Sequence, residues 1–333
     1  MVRRTNVRLP VTLVLLAGAM ALSLMFIGPM AGVAGTSSCS GEVVSALSTA
    51  GYTPSSLAKL QGTTASAINN SIDALCTANV AVAQVAAQVL KTAGIPIADI
   101  ATFLATTFAQ TAAQAAQILQ AIGFAAGQIA QVLADVFDLT AQGVAQVLQA
   151  LGYAAGVIAQ ALVDVFNLTA QAVGQVLQAL GYAAGVIGQA LVDVFNLTAQ
   201  AVGQVLQALG YTAEVIGQAL LDVFNLAAQT AAEILQALGY TAEVIGQVLL
   251  DVFNVAAQTA AEILQALGYA AEVIGQVLLD VFNATAEAIA DIFDALGFDA
   301  DAIGDILEFL GFSAEVIEDI LCTIFPFLPM CFL

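Results

Sequence analysis

The segment Leu238–Asn254 reads LGYTAEVIGQVLLDVFN, and it decides the fold because near-copies of it recur at a fixed interval. Two aromatic positions repeat with a step of 29 residues: the Phe near the end of the segment, and the aromatic residue that follows Gly. The first series is Phe108, Phe137, Phe166, Phe195, Phe224, Phe253 and Phe282, and the second is Phe124, Tyr153, Tyr182, Tyr211, Tyr240, Tyr269 and Phe298. Such a period is typical of repeat arrays.

Each period has two halves, and each half is predicted to form one short helix. Residues 241–255 read TAEVIGQVLLDVFNV, and residues 256–269 read AAQTAAEILQALGY. In the first half Ile245, Leu249 and Phe253 are four residues apart, which is the spacing of an amphipathic helix. The alternation of apolar and polar residues that indicates a strand is absent from these halves.

The helix ends are also marked in the sequence. Thr212, Thr241 and Ser313 stand where an N-cap hydroxyl would accept a hydrogen bond from a first-turn amide. Gly239 and Asn167 stand where a left-handed residue would end a helix, each followed by an apolar contact residue. Gly and Asn are therefore interpreted as helix stops.

Helices of about 11 residues are marginal alone, so these must be stabilised by their neighbours. Hairpins stacked at the repeat period would bury one another's apolar faces. The predicted inner seam consists of Ile158, Ile187, Ile216, Ile245 and Ile274 together with Leu148, Leu177, Leu206, Leu235 and Leu264. Glycines inside the helices, such as Gly217, predict close approach of neighbouring backbones.

The sequence therefore predicts an all-α fold, an α-solenoid of stacked short helical hairpins with a 29-residue period. We assign residues 1–35 to a signal peptide and 36–78 to an N-terminal helical capping region. Residues 79–297 form the tandem αα repeats, and 298–333 form C-terminal acidic helices with a disulfide-closed cap. From about Ile95 to Phe312 the chain resembles tandem short-helix repeats of uncharacterised secreted bacterial proteins, a resemblance that implies no activity.

The N-terminus predicts export. Arg3, Arg4 and Arg8 precede an apolar run, which is followed by small residues. This is the layout of a signal peptide, with cleavage near Ala34 or Gly35. The run is long enough that an uncleaved membrane anchor is the alternative.

The four cysteines are the candidate site residues. In an exported protein, proximity along the chain favours disulfides between Cys39 and Cys76 and between Cys322 and Cys331. The alternative is free buried thiols. Zinc is disfavoured because the chain has no His and the cysteine spacing includes no CxxC pair.

Charge excludes several functions. Loss of residues 1–35 would move the net charge from -20 to -23 and leave only Lys59 and Lys91 as basic residues. Nucleic acid is excluded as a partner, because phosphate binding needs clustered Lys and Arg. A histidine-based catalytic triad is impossible without His, and no cofactor-binding motif is present, so we expect no enzyme activity and no cofactor. Helices of this length are too short to cross a bilayer, so we expect no transmembrane repeats.

Acidic residues also repeat with the period, at Asp135, Asp164, Asp193, Asp222, Asp251 and Asp280. Such a column cannot supply the six to eight oxygens of a tight calcium site, so at most weak Ca²⁺ association is expected. Three functions stay open: a secreted structural or protein-binding scaffold with an unknown protein partner or self-association, a surface-active or lipid-binding protein, and an acidic matrix protein that binds divalent cations. The scaffold is the preferred hypothesis.

Overall fold

The computed structural model describes residues 36–78 and 80–327, which form twenty α-helices and no strand. The predicted signal peptide lies outside the described residues, and so does Cys331. The helices are α1 (Thr36–Thr49), α2 (Pro54–Gln61), α3 (Ala65–Thr77), α4 (Val82–Thr92), α5 (Ile97–Thr107), α6 (Ala112–Ala121), α7 (Ala126–Asp135), α8 (Ala141–Ala150), α9 (Ala155–Phe166), α10 (Ala170–Ala179), α11 (Ala184–Phe195), α12 (Ala199–Ala208), α13 (Ala213–Phe224), α14 (Ala228–Ala237), α15 (Ala242–Asp251), α16 (Ala257–Ala266), α17 (Ala271–Asp280), α18 (Ala286–Ala295), α19 (Ala300–Phe309) and α20 (Ala314–Ile324).

The helices form two stacked layers, so the predicted all-α solenoid of helical hairpins is confirmed. From α5 onward, each odd-numbered helix and the even-numbered helix after it make one hairpin, and each odd helix packs on the odd helices before and after it. Even helices also pack on one another, most closely from α4 to α14 and again between α18 and α20. The stack continues through α19 and α20, which form its last hairpin.

The predicted inner seam is confirmed. Every Ile and Leu of the two predicted columns is buried, with Leu206 and Ile216 at 0% exposure. One continuous apolar cluster runs from Val43 to Leu321, and no polar or charged residue in the described part of the chain is buried. The core is therefore shared by all the hairpins, as expected where each repeat contacts only its neighbours.

Left-handed residues end both kinds of helix, as predicted. Gly239 has φ 86°, the Gly239 amide donates to the Gln236 carbonyl, and the Tyr240 amide donates to the Leu235 carbonyl, which together make a Schellman motif. Asn167 has φ 51° and its amide donates to the Val163 carbonyl at 2.8 Å. The Asn stop thus differs in its bonds from the Gly stop.

The predicted N-caps are right only in part. Ser313 accepts a hydrogen bond from the Val316 amide, but the hydroxyls of Thr212 and Thr241 accept none, although both residues occupy the N-cap position. Odd helices begin equally well after Ala154, so a hydroxyl cap is not required there, and exposed first-turn amides can bond water instead. From α4 onward the threonines that do cap precede even helices: Thr111, Thr140, Thr169, Thr198 and Thr285. In the N-terminal region Thr53 caps α2 and Thr64 caps α3.

The reason for the internal glycines was predicted wrongly. A Cβ on Gly217 would lie 2.6 Å from Cγ1 of Val248, and one on Gly188 would lie 3.3 Å from Cγ1 of Val202. The space beside Gly188, Gly217 and Gly246 is therefore filled by valine side chains of later helices, and that beside Gly275 by Ile306, Leu310 and Phe293, not by backbone. These glycines leave room for the β-branched residues that hold consecutive hairpins together.

The N-terminal cap is formed by α1, α2 and α3, and α1 and α3 also pack on α4. A disulfide joins Cys39 in α1 to Cys76 in α3, as predicted. Cys322 is also disulfide-bonded, whereas Cys331, its predicted partner, lies outside the described residues. The Cys39–Cys76 bond closes the end of the stack that α4 begins.

Candidate binding surface

One repeating outer face lies on the odd helices and is a candidate binding surface. Val157, Val186 and Val215 are 43%, 44% and 38% exposed, and they are the same position of three successive odd helices, α9, α11 and α13. On each helix the valine shares a face with an exposed Gln three residues later and an exposed Asp seven residues later. We call this surface the valine face.

The aspartates of the valine face are held by their own helices. The Gln four residues before each Asp donates a hydrogen bond to its carboxylate, at 2.8 Å for Gln160 and Asp164 and at 2.7 Å for Gln218 and Asp222. The same pair recurs in α7, α11, α15 and α17. Gln218 is therefore a partner of Asp222.

Two of these aspartates, Asp193 and Asp222, also lie against the start of the preceding odd helix. An Oδ2 of Asp193 lies 3.5 Å from the Cβ position of Gly156, and Asp222 has the same relation to Gly185. A carboxylate is favoured there, because the first turn of a helix carries partial positive charge. The valine face thus places a fixed negative charge at two junctions, between α9 and α11 and between α11 and α13.

The calcium hypothesis gains no site from this geometry. In later repeats Glu replaces the first-turn glycine. Glu214 and Asp251 are the repeat equivalents of Gly156 and Asp193, so two carboxylates meet at that junction. Within the described residues, no group of three or more His, Cys, Asp or Glu side chains could hold a metal ion. Two carboxylates fall short of the oxygen shell of Ca²⁺, so weak association stays a prediction based on the acidic column.

A second row of contacts joins the even helices, and sequence reasoning missed it. In five successive junctions a Gln near the end of one even helix donates from Nε2 to the carbonyl oxygen of the Leu that ends the next even helix, over 2.9–3.1 Å. The donors are Gln120, Gln149, Gln178, Gln207 and Gln236, and the acceptors are Leu151, Leu180, Leu209, Leu238 and Leu267. We call this row the glutamine ladder.

The glutamine ladder satisfies carbonyl groups that a helix end leaves without partners. Its signal in the sequence is a Gln at constant spacing three residues before Gly, as in the QALG of residues 178–181. Gln175 is as regular and as polar, but it is exposed and makes no hydrogen bond in the structure. Only the packing of the next repeat distinguishes the two glutamines.

Replacing Gln178 with Met should lower the free energy of unfolding by about 0.5–1.5 kcal/mol, the usual net contribution of one hydrogen bond. The matched control is Gln175→Met on the same helix, which should change it by less than about 0.5 kcal/mol. Urea unfolding monitored by circular dichroism measures both. Equal effects of the two substitutions would contradict a role for the ladder.

Lys91 takes the place of the glutamine at the first junction of the ladder. Its Nζ donates to the carbonyl oxygens of Ile122 and Gly123 and lies 4.7 Å from the centre of the Phe124 ring. Two carbonyl oxygens and an aromatic face at this helix end therefore bind an ammonium group. Lys59 is the other basic residue of the described chain.

Two titrating groups have shifted pKa values, and both lie away from the valine positions. Burial, and then the charge of Asp99, raise the pKa of Tyr52 above its ordinary value. Hydrogen bonds from its own backbone amide and from Thr285 lower the pKa of the Glu287 carboxyl. Both shifts reflect local burial or capping, and neither indicates a group prepared for catalysis.

An open groove lies in the last of the described hairpins. It lies between α19 and α20, has a volume of about 450 Å³, and is lined by Ala300, Gly304, Asp305, Glu308, Ile317 and Leu321. Gly304 continues the column of Gly217 and Gly275, and its Cβ position lies 3.5 Å from Cδ1 of Leu321 in α20.

Comparison with known proteins finds no relative. No family model matches the chain, and a search of curated proteins finds no significant match. Among the described helices, none is both long and apolar enough to cross a membrane.

Proposed function

We propose that this protein is a secreted, non-enzymatic scaffold that binds a protein partner along the valine face. The observation that carries the proposal is the alignment of Val157, Val186 and Val215, each about two-fifths exposed, on successive odd helices. Isolated exposed apolar residues are common on protein surfaces, whereas the same exposed valine on three successive helices, bordered by polar residues, supports an interaction surface.

Charge supports a partner with basic or neutral polar groups. An aspartate borders each valine of the row, and between residues 92 and 327 the described chain has no basic residue. Two copies of the valine face would therefore bring like charges together, which costs free energy at an interface. The Cys39–Cys76 disulfide is compatible with the proposed location outside the cell.

The test is partner capture from the native cell envelope or medium with matched variants. In the test variant Val157, Val186 and Val215 are all changed to Ser, and in the control Gln175, Gln204 and Ala179, all exposed on even helices, are changed to Ser. We expect a saturable partner that the control retains and the valine variant loses.

Equal binding by the two variants, or no saturable partner, would overturn the proposal. Adsorption at an air–water interface is measured in parallel, since strong adsorption of the wild-type chain without a protein partner would favour the surface-active alternative. Both variants must give the wild-type helical spectrum, which ensures that lost binding is not lost folding.

A further inference from the structure

We propose that the end of α18 is a binding site for an external primary ammonium group, of the same construction as the site that Lys91 fills within the chain. The site consists of the carbonyl oxygens of Leu296 and Gly297 and the Phe298 ring, with Asp294 in the same last turn of the helix. This inference does not depend on the proposed function, because a small amine could bind even if no protein partner exists.

The ends of α6 and α18 are equivalent positions of the repeat. Ile122, Gly123 and Phe124 become Leu296, Gly297 and Phe298 after six periods of 29 residues. In this aromatic column only Phe124 and Phe298 are Phe, and the five residues between them are Tyr. Gly123 and Gly297 share the left-handed conformation, with φ 83° and 88°. The end of α18 therefore has the same backbone conformation and the same aromatic residue as the helix end that binds the Lys91 ammonium.

The difference is that, among residues 36–78 and 80–327, no side chain donates a hydrogen bond to the carbonyl groups of the second site. Gln265 has the position equivalent to Lys91, but it is exposed and makes no hydrogen bond to Leu296 in the structure. Here the even layer is also looser, since α16 contacts its even neighbours less than the other even helices do. The glutamine ladder therefore stops at Gln236, one junction before this site.

Charge at this helix end favours a cation. Asp294 lies in the last turn of α18, where a carboxylate adds to the partial negative charge of the helix C-terminus. The chain offers no Lys or Arg after Lys91 to balance it. An ammonium donates up to three hydrogen bonds and is attracted to an aromatic face, so it satisfies both the carbonyl groups and the ring.

The primary ammonium has two possible sources, a lysine of another polypeptide or a free alkylamine. We would titrate the intact, ¹⁵N-labelled chain with n-butylammonium, with an acetylated and amidated Gly-Lys-Gly peptide, and with tetramethylammonium. The last ion can approach a ring but donates no hydrogen bond. Shifts of the Leu296, Gly297 and Phe298 amide signals report on the site.

We expect both primary ammonium probes to saturate these shifts and tetramethylammonium to have little effect. Tighter binding of the peptide would indicate a protein lysine, and tighter binding of butylammonium would indicate a free amine. Asp294→Asn should weaken binding roughly two- to fivefold, the range of an exposed charge pair. The same change at a distant acid, Asp164→Asn, should leave it unaltered.

The sharpest variant is Gln265→Lys, which supplies an internal ammonium at the separation that Lys91 has from its carbonyl partners. It should abolish butylammonium binding, whereas Gln265→Met should leave binding intact. Equal shifts with all three probes would show ionic screening alone and overturn the proposal. Undiminished binding to Gln265→Lys, with the helical spectrum of the wild type, would overturn it as well.

Discussion

Leu206→Ala should lower the free energy of unfolding by about 2–5 kcal/mol, the range for truncating a fully buried Leu. Leu206 has 0% exposure and belongs to the even-helix column of the shared core. The loss combines the transfer free energy of the removed methyl groups with the cavity they leave. Urea unfolding followed by circular dichroism measures it, with hydrogen exchange to show whether neighbouring repeats open together.

The control for this substitution is Val186→Ala, which removes apolar atoms from a residue that is 44% exposed. It should change stability by less than about 0.5 kcal/mol, because a surface substitution leaves the core intact. Leu148→Ala should resemble Leu206→Ala, since both residues have 0% exposure in the same column. A loss below 1 kcal/mol at Leu206 would contradict a core shared between hairpins.

Removing the Cys39–Cys76 disulfide should destabilise the N-terminal cap by about 4 kcal/mol. The bond spans 37 residues, and the chain-entropy model gives roughly this value for such a loop. The variant is Cys39→Ser with Cys76→Ser, which avoids a reductant that would also attack the disulfide at Cys322.

Hydrogen exchange then separates a local effect from a global one. Amides of α1 to α3 should exchange much faster in the double variant, while those of α9 to α14 should be unchanged, because each hairpin contacts only its neighbours. Unchanged exchange in α1 to α3 would show that packing alone holds the cap. Faster exchange throughout would show a single cooperative unit.

The regular part of the fold could be predicted because it depends on patterns within one repeat. Four-residue spacing, such as that of Ile245 and Leu249, fixes the helices and their buried face. Gly239 and Asn167 fix the helix ends through the left-handed conformation. The period places equivalent residues in register, so the buried Ile and Leu columns could be predicted from the sequence alone.

Contacts between repeats could not be predicted, since they depend on the offset at which one hairpin packs on the next. Gln175 and Gln178 are both polar, periodic residues of one helix, yet only Gln178 reaches the Leu209 carbonyl. The valine that faces Gly217 is 31 residues ahead, in the next odd helix. The ammonium site of Lys91 was missed for the same reason, because its carbonyl groups belong to the following repeat.

The central claim is that these hairpins are ordered only when they pack on one another. Each odd or even helix of residues 241–269 has 10 residues, fewer than an isolated helix needs in water. Far-UV circular dichroism of the excised 241–269 peptide should therefore show a disordered chain, and chains of two, three and four repeats should gain helix and a cooperative melting transition. A single repeat that is helical and melts cooperatively would contradict the account.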